Sequence, residues 1–98
     1  MELITTKIAN ANLYKVYTSE ANPSERKFVA MFDAANEDEL IALIPTLTTQ
    51  ENDSLRERYF INSAGVRVGK MNYVDGTSIE AVYASALSYA QARKLAIV

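Results

Sequence analysis

The sequence predicts a single α+β domain spanning residues 1–98, with the order β-β-α-β-β-α. Two helices are expected on one face of a mainly antiparallel sheet of four strands, five if the first eight residues join it. Three observations carry this prediction. Runs of period-two residues flank turn signals, one of which is a clear hairpin. Two helix-start signatures follow apolar runs. Finally, one phrase occurs twice: Asp33-Ala-Ala-Asn36-Glu-Asp-Glu39-Leu40 is echoed by Val74-Asp-Gly76-Thr77-Ser-Ile-Glu80-Ala81, with Asn36 answered by Thr77, 41 positions later. In the same alignment Phe32 answers Tyr73 and Ile41 answers Val82.

Met1–Ile8 carries β-prone side chains and reads either as an extra strand or as an arm. Leu13-Tyr-Lys-Val-Tyr-Thr18 alternates, placing Leu13, Lys15 and Tyr17 on one face and Tyr14, Val16 and Thr18 on the other. Asn22-Pro23-Ser24 punctuates a connection, and Arg26–Phe32 follows as a strand with apolar residues on both faces, which suits a central position. The first helix opens at Asn36 with Glu39 in capping-box position, buries Leu40, Leu43 and Ile44, and ends near Ile44 because Pro45 lacks an amide hydrogen. Residues 46–54 are polar and aperiodic and read as a loop.

Arg58–Asn62 and Val66–Val74 flank Asn62-Ser-Ala-Gly65, in which glycine supplies the left-handed residue of a bulged hairpin turn. The second helix is expected from Thr77, with Glu80 closing its capping box, through Ile79, Val82, Tyr83, Ala86 and Ala90 to Arg93 and Lys94. Which of Tyr14, Val16, Lys27, Val29, Met31, Tyr59, Ile61, Arg67 and Met71 occupy the open face of the sheet depends on register, and local pattern does not fix that.

Composition narrows function by exclusion. With no cysteine, the chain has no disulfide, thiolate nucleophile or cysteine-held metal. With no histidine, it also lacks the commonest general base and the imidazole ligands. A hydrophobic fraction of 49% and a charged fraction of 22% are globular values, no apolar run spans a membrane, and a cytoplasmic setting without a cofactor is expected. A net charge of −2 gives no bulk attraction to nucleic acid.

Three residue groups could carry chemistry. The acids Asp33, Glu37, Asp38 and Glu39, with Glu51, Asp53 and Glu57 later, read as helix-start and solvating groups or as a patch facing a protein. They lack the spacing of a calcium loop. The mixture of Lys27, Arg58, Tyr59, Arg67, Lys70 and Tyr73 has the chemistry of sheets that stack unpaired bases, without a matching nucleic-acid motif. No nucleophile-and-base spacing is present, and the glycines fit no phosphate-binding pattern, so no enzyme is expected. The outer side of the second helix, with Tyr83, Tyr89 and Arg93 and the apolar end Leu95–Val98, has interface character. That end could add a strand to a neighbour or pack on its own sheet.

The expected function is therefore noncovalent binding of another protein, with Tyr83, Tyr89, Arg93, Glu37, Asp38, Arg67 and Tyr59 as the candidate contacts and a homodimer through a sheet edge or the second helix as a further expectation. In general character the chain resembles small accessory proteins of phages and mobile elements. That resemblance implies a viral-type inhibitor acting by occlusion. The alternative is a nucleic-acid-contacting module using the sheet face or a local basic patch.

Overall fold

Six strands form the sheet, two more than the sequence specifies without its first residues, and every neighbouring pair is antiparallel. The computed structural model describes the backbone of residues 2–52, 57–72 and 77–97, and side chains throughout these except 51, 52, 57 and 94–97. Strands β1 (Leu3–Lys7), β2 (Tyr14–Thr18) and β3 (Phe28–Phe32) precede α1 (Glu37–Leu43), and β4 (Thr48–Asn52), β5 (Glu57–Ile61) and β6 (Arg67–Asn72) precede α2 (Ile79–Ile97). The spatial order is β1-β2-β3-β6-β5-β4.

This order reads the same from either edge, as two β-β-β-α halves related by an approximate twofold axis through the central β3–β6 pair. Ala30 faces Met71 in that pair. These residues are 41 positions apart (71 minus 30), the interval of the repeat in the sequence. The second copy's turn, Tyr73 to Gly76, lies outside the described residues.

The extra strands have separate explanations. Residues 3–7 join the sheet as an edge. The loop expected over 46–54 is instead edge strand β4 for Thr48–Asn52, which pairs with β5 from Thr48 opposite Ile61 to Asn52 opposite Glu57. Thr48, Thr49 and Gln50 are exposed on both faces, so the segment carries no apolar alternation for a sequence reading to find. Its β-branched threonines are the only local signal.

Register sorts the side chains into rows that cross the sheet. On the helix-covered face, one row runs Lys7, Tyr14, Phe32, Gly69, Phe60, Thr49 and the next Thr5, Val16, Ala30, Met71, Arg58. Tyr14, Val16, Phe32 and Phe60 are fully buried there, with Leu40 of α1 and Val82, Ala86 and Ala90 of α2 above them. A bulge between Val16 and Tyr17 shifts the β2–β3 register, so both Val29 and Ala30 are buried in succession. This accounts for the apolar residues on both apparent faces of the third strand.

Gly69 has a specific steric task. It sits between Phe32 and Phe60, whose rings close over it in a stack with centroids 4.7 Å apart. A Cβ at this position would meet the Met31 carbonyl oxygen at 2.3 Å. Gly65 serves the turn instead: its φ is +79°, and Asn62 Oδ1 accepts hydrogen bonds from the amides of Ala64 (2.9 Å) and Val66 (3.0 Å) around it.

The helix starts follow the expected chemistry with two adjustments. Asn36 caps α1 by accepting from the Glu39 amide at 2.9 Å, but Glu39 reaches back to the amide of Ala35, one residue before the cap. Pro45 ends α1 in a single 3₁₀ turn, Ile44–Thr46. For α2 the cap is Ser78, whose Oγ accepts from the Ala81 amide at 3.1 Å, not the expected pair Thr77 and Glu80. The helix continues to Ile97, so Leu95–Ile97 is not an extended segment available for strand addition, and Val98 lies outside the described residues.

Two glycine substitutions should separate close approach from turn conformation. Gly69→Ala is expected to lower stability by about 2–3 kcal/mol, because the backbone of β3 must shift, and Gly65→Ala by about 1 kcal/mol, because open space surrounds its strained φ. Urea denaturation of the two variants measures both, and equal losses would contradict the steric role of Gly69.

Candidate partner-binding surfaces

The residues singled out from sequence divide between opposite sides of the molecule. Tyr83 and Tyr89 are drawn onto the sheet. Tyr83 tilts against Phe60 (5.4 Å between centroids) and Phe32 (6.3 Å), while Tyr89 meets Tyr14 edge-on at 5.9 Å. Arg93, one turn further along α2, donates from Nε to the Tyr89 hydroxyl at 2.9 Å and places its guanidinium 5.0 Å from that ring. Glu37 is half-buried and Asp38 exposed in the first turn of α1. Glu37, Tyr89 and Arg93 lie near Tyr14 of β2, and the aromatic surface of Tyr83 and Tyr89 is largely spent on the core.

Tyr14 is the chemically unusual member of that neighbourhood. Its side chain is fully buried, and its hydroxyl finds no hydrogen-bond partner among the described residues. Burial first, and then the negative charge of Glu37, push its phenol up to about 12. Burial likewise raises Tyr83, helped by Glu80. Both phenols therefore remain protonated through the neutral range, and neither is set up as a base.

Arg67 and Tyr59 come together on the other face, which no helix covers. The Arg67 guanidinium lies 4.0 Å from the centre of the Tyr59 ring. Register extends this pair into a row across the whole sheet: Thr6, Lys15, Met31, Lys70, Tyr59, Gln50. Beside it, Tyr17 and Phe28 meet edge-on at 6.0 Å, and Lys15 Nζ stands 5.9 Å from the Phe28 ring. Lys15, Tyr17, Phe28, Met31, Tyr59 and Lys70 are all half-buried, and Arg67 is exposed. The open face is thus a layer of rings and alkyl stems with three cationic heads at its surface.

The charge on this face is one-sided. Among its described strand side chains, Lys15, Arg67 and Lys70 are the charged ones. The chain as a whole has twelve acids against ten bases. Sequence reasoning does not single out Lys15, Tyr17 or Phe28. Their signal is the alternation of Leu13–Thr18, which puts Lys15 and Tyr17 on one face without saying which face that is.

Of the residues sorted by the sheet, Tyr14, Val16, Val29 and Met71 turn toward the helices, whereas Met31, Tyr59, Ile61 and Arg67 occupy the open face. The acids of α1 serve the helix start. Among the described residues no group of three carboxylates converges where a metal ion could be held, and no helix is long and apolar enough to cross a membrane. A cleft of about 290 Å³ lies elsewhere, between edge strand β1 and α2, lined by Leu3, Thr5, Ser85, Ser88, Tyr89 and Ala92.

The unpartnered Tyr14 hydroxyl makes Tyr14→Phe a near-neutral or slightly stabilising change, within about 1 kcal/mol of the parent chain at pH 7. Between the ordinary value of 10.0 and about 12 the unfolded chain releases a proton that the folded chain retains. Stability should therefore fall as pH rises through that window, and less steeply in Tyr14→Phe. Urea titrations at pH 7, 10 and 11 measure the difference; a Tyr14→Phe loss above 2 kcal/mol at pH 7 would show that the hydroxyl is bonded after all.

No protein-family model matches the chain, and comparisons with curated proteins and with solved structures find no match either.

Proposed function

We propose that the protein acts by binding another protein noncovalently, docking the uncovered face of its sheet onto an acidic surface and occluding it. One observation carries the proposal: on one face of a chain whose net charge is negative, Lys15 and Arg67 stand over half-buried rings and Lys70 lies between Met31 and Tyr59 in the sheet register. Three cations on an apolar layer suit a partner with exposed carboxylates, because complementary potential speeds encounter and fixes orientation while the rings and Met31 supply contact area. Such a role needs no cofactor and fits a cytoplasmic accessory protein.

The nucleic-acid reading shares the cations but fits the rings less well. Base stacking requires free aromatic faces. Here Arg67 covers Tyr59 at 4.0 Å, and Phe28 is shared between Tyr17 and Lys15. A sequence pI near 5.0 also lies far from the strongly basic values typical of nucleic-acid-binding domains.

Charge reversal tests the proposal. Immobilised parent chain should retain a stoichiometric protein from a bacterial lysate, and the double variant Lys15→Glu/Lys70→Glu should lose at least tenfold of that capture while its urea midpoint stays unchanged. Retention should also weaken as salt is raised from about 0.1 to 0.5 M. Equal capture by the two chains would refute the role of this face. Tight binding of fluorescent single-stranded RNA or DNA to the parent chain would replace the proposal with the nucleic-acid reading.

A further inference from the structure

We infer that β1 and the adjoining flank of α2 form the interface for a second copy of this chain, joined antiparallel through β1. This surface is separate from the open sheet face. β1 is a sheet edge that pairs with β2 on one side only. Edge strands that remain single are usually blunted by proline, a bulge or an outward charge. Leu3-Ile-Thr-Thr-Lys7 contains no proline, its pairing with β2 has no bulge, and its one charge is turned back onto its own chain: Lys7 Nζ donates to the Ala11 carbonyl and lies 4.9 Å from the centre of the Tyr14 ring.

The edge is self-complementary. Centred on Thr5, a twofold pairing sets Leu3 opposite the other copy's Lys7 and Ile4 opposite its Thr6, so apolar surface meets an alkyl stem or a threonine methyl and no like charges face each other. The layer above also fits. Because α2 rests over β1 and β2, a twofold at the β1 edge would place the two α2 axes about two strand spacings apart, roughly 9.6 Å. Packed helices lie about 8–10 Å apart, the closer distances requiring small side chains.

The flank of α2 that would face its partner carries Ser85, Ser88 and Ala92, and the cleft of about 290 Å³ beside them leaves room for the approach. Thr5 and Ser85 already tie strand to helix, with hydroxyl oxygens 3.1 Å apart. Five residues of strand, about 17 Å, and a molecular thickness of 24 Å bound the flank. The area buried is on the order of 800 Å² in total, the small end of the interface range. The inferred association is therefore weak and reversible.

Light scattering after size exclusion, from about 1 to 500 μM, should show the mass rise from 10.9 kDa toward twice that value. Ala92→Arg, on the exposed flank, should shift the midpoint at least tenfold to higher concentration with an unchanged urea midpoint. Because the chain has no cysteine, single engineered thiols report geometry independently of these variants. Ser88→Cys should cross-link under mild oxidation at 100 μM, whereas Gln91→Cys, which does not line the cleft, should not. A constant 10.9 kDa mass at every concentration, or equal cross-linking by both thiols, would overturn the inference.

Discussion

The arrangement depends on a side chain that is absent. Gly69 sits in a central strand between two phenylalanines, on strands that lie about 9.6 Å apart, and the gap lets Phe32 and Phe60 lean together until their rings stack at 4.7 Å. Tyr83 of α2 then lies against both rings. One vacancy in the sheet thereby becomes the anchor of the longest helix. A second anchor, Tyr89 on Tyr14, stands six positions further along α2, about 9 Å of rise. With both points held, the helix must cross toward β1, and its covering role, its flank and the cleft beside Thr5 follow.

Much of this was legible locally. The alternation of Leu13–Thr18 assigns faces correctly, Asn62–Gly65 forms the expected bulged turn, and Asn36 caps its helix. Each depends on residues within a few positions of one another. The errors share a different cause. β4 is a strand because β5 pairs with it, and Thr48–Gln50 face water on both sides, so nothing in its own pattern records the pairing. Ser78 displaces Thr77 as the cap by one position, a shift within which either hydroxyl satisfies the local rule. The candidate surface was the least legible part. Lys15 and Lys70 meet across Met31 only through two strand registers, and no window of sequence contains both.

The repeat bears on whether the cationic row is a by-product of the scaffold. An approximate twofold through Ala30 and Met71 carries position 70 onto position 29, by the same interval of 41, and there the chain has Val29, fully buried beside a bulge. Lys70 therefore has no counterpart in the first half. The two helices are equally mismatched, with 7 residues in α1 and 19 in α2. Features shared by both halves, such as the three-stranded meander and the capped helix after it, are what any sequence of this topology needs in order to fold.

Features that break the symmetry have no such obligation. Keeping an open sheet face wet does not require one sign of charge; mixed acids and bases serve solubility as well or better. In a chain with more acids than bases, three cations on one face work against the average composition. The heads of Lys15 and Arg67 also rest over rings, which fixes long, flexible side chains at a cost in rotamer entropy that simple solvation would not repay. A partner bearing carboxylates would repay it, because the cations are already ordered before contact and binding then loses less freedom. Of the three cations, Lys70 departs from the repeat, whereas Arg67 stands 41 positions after another base, Arg26.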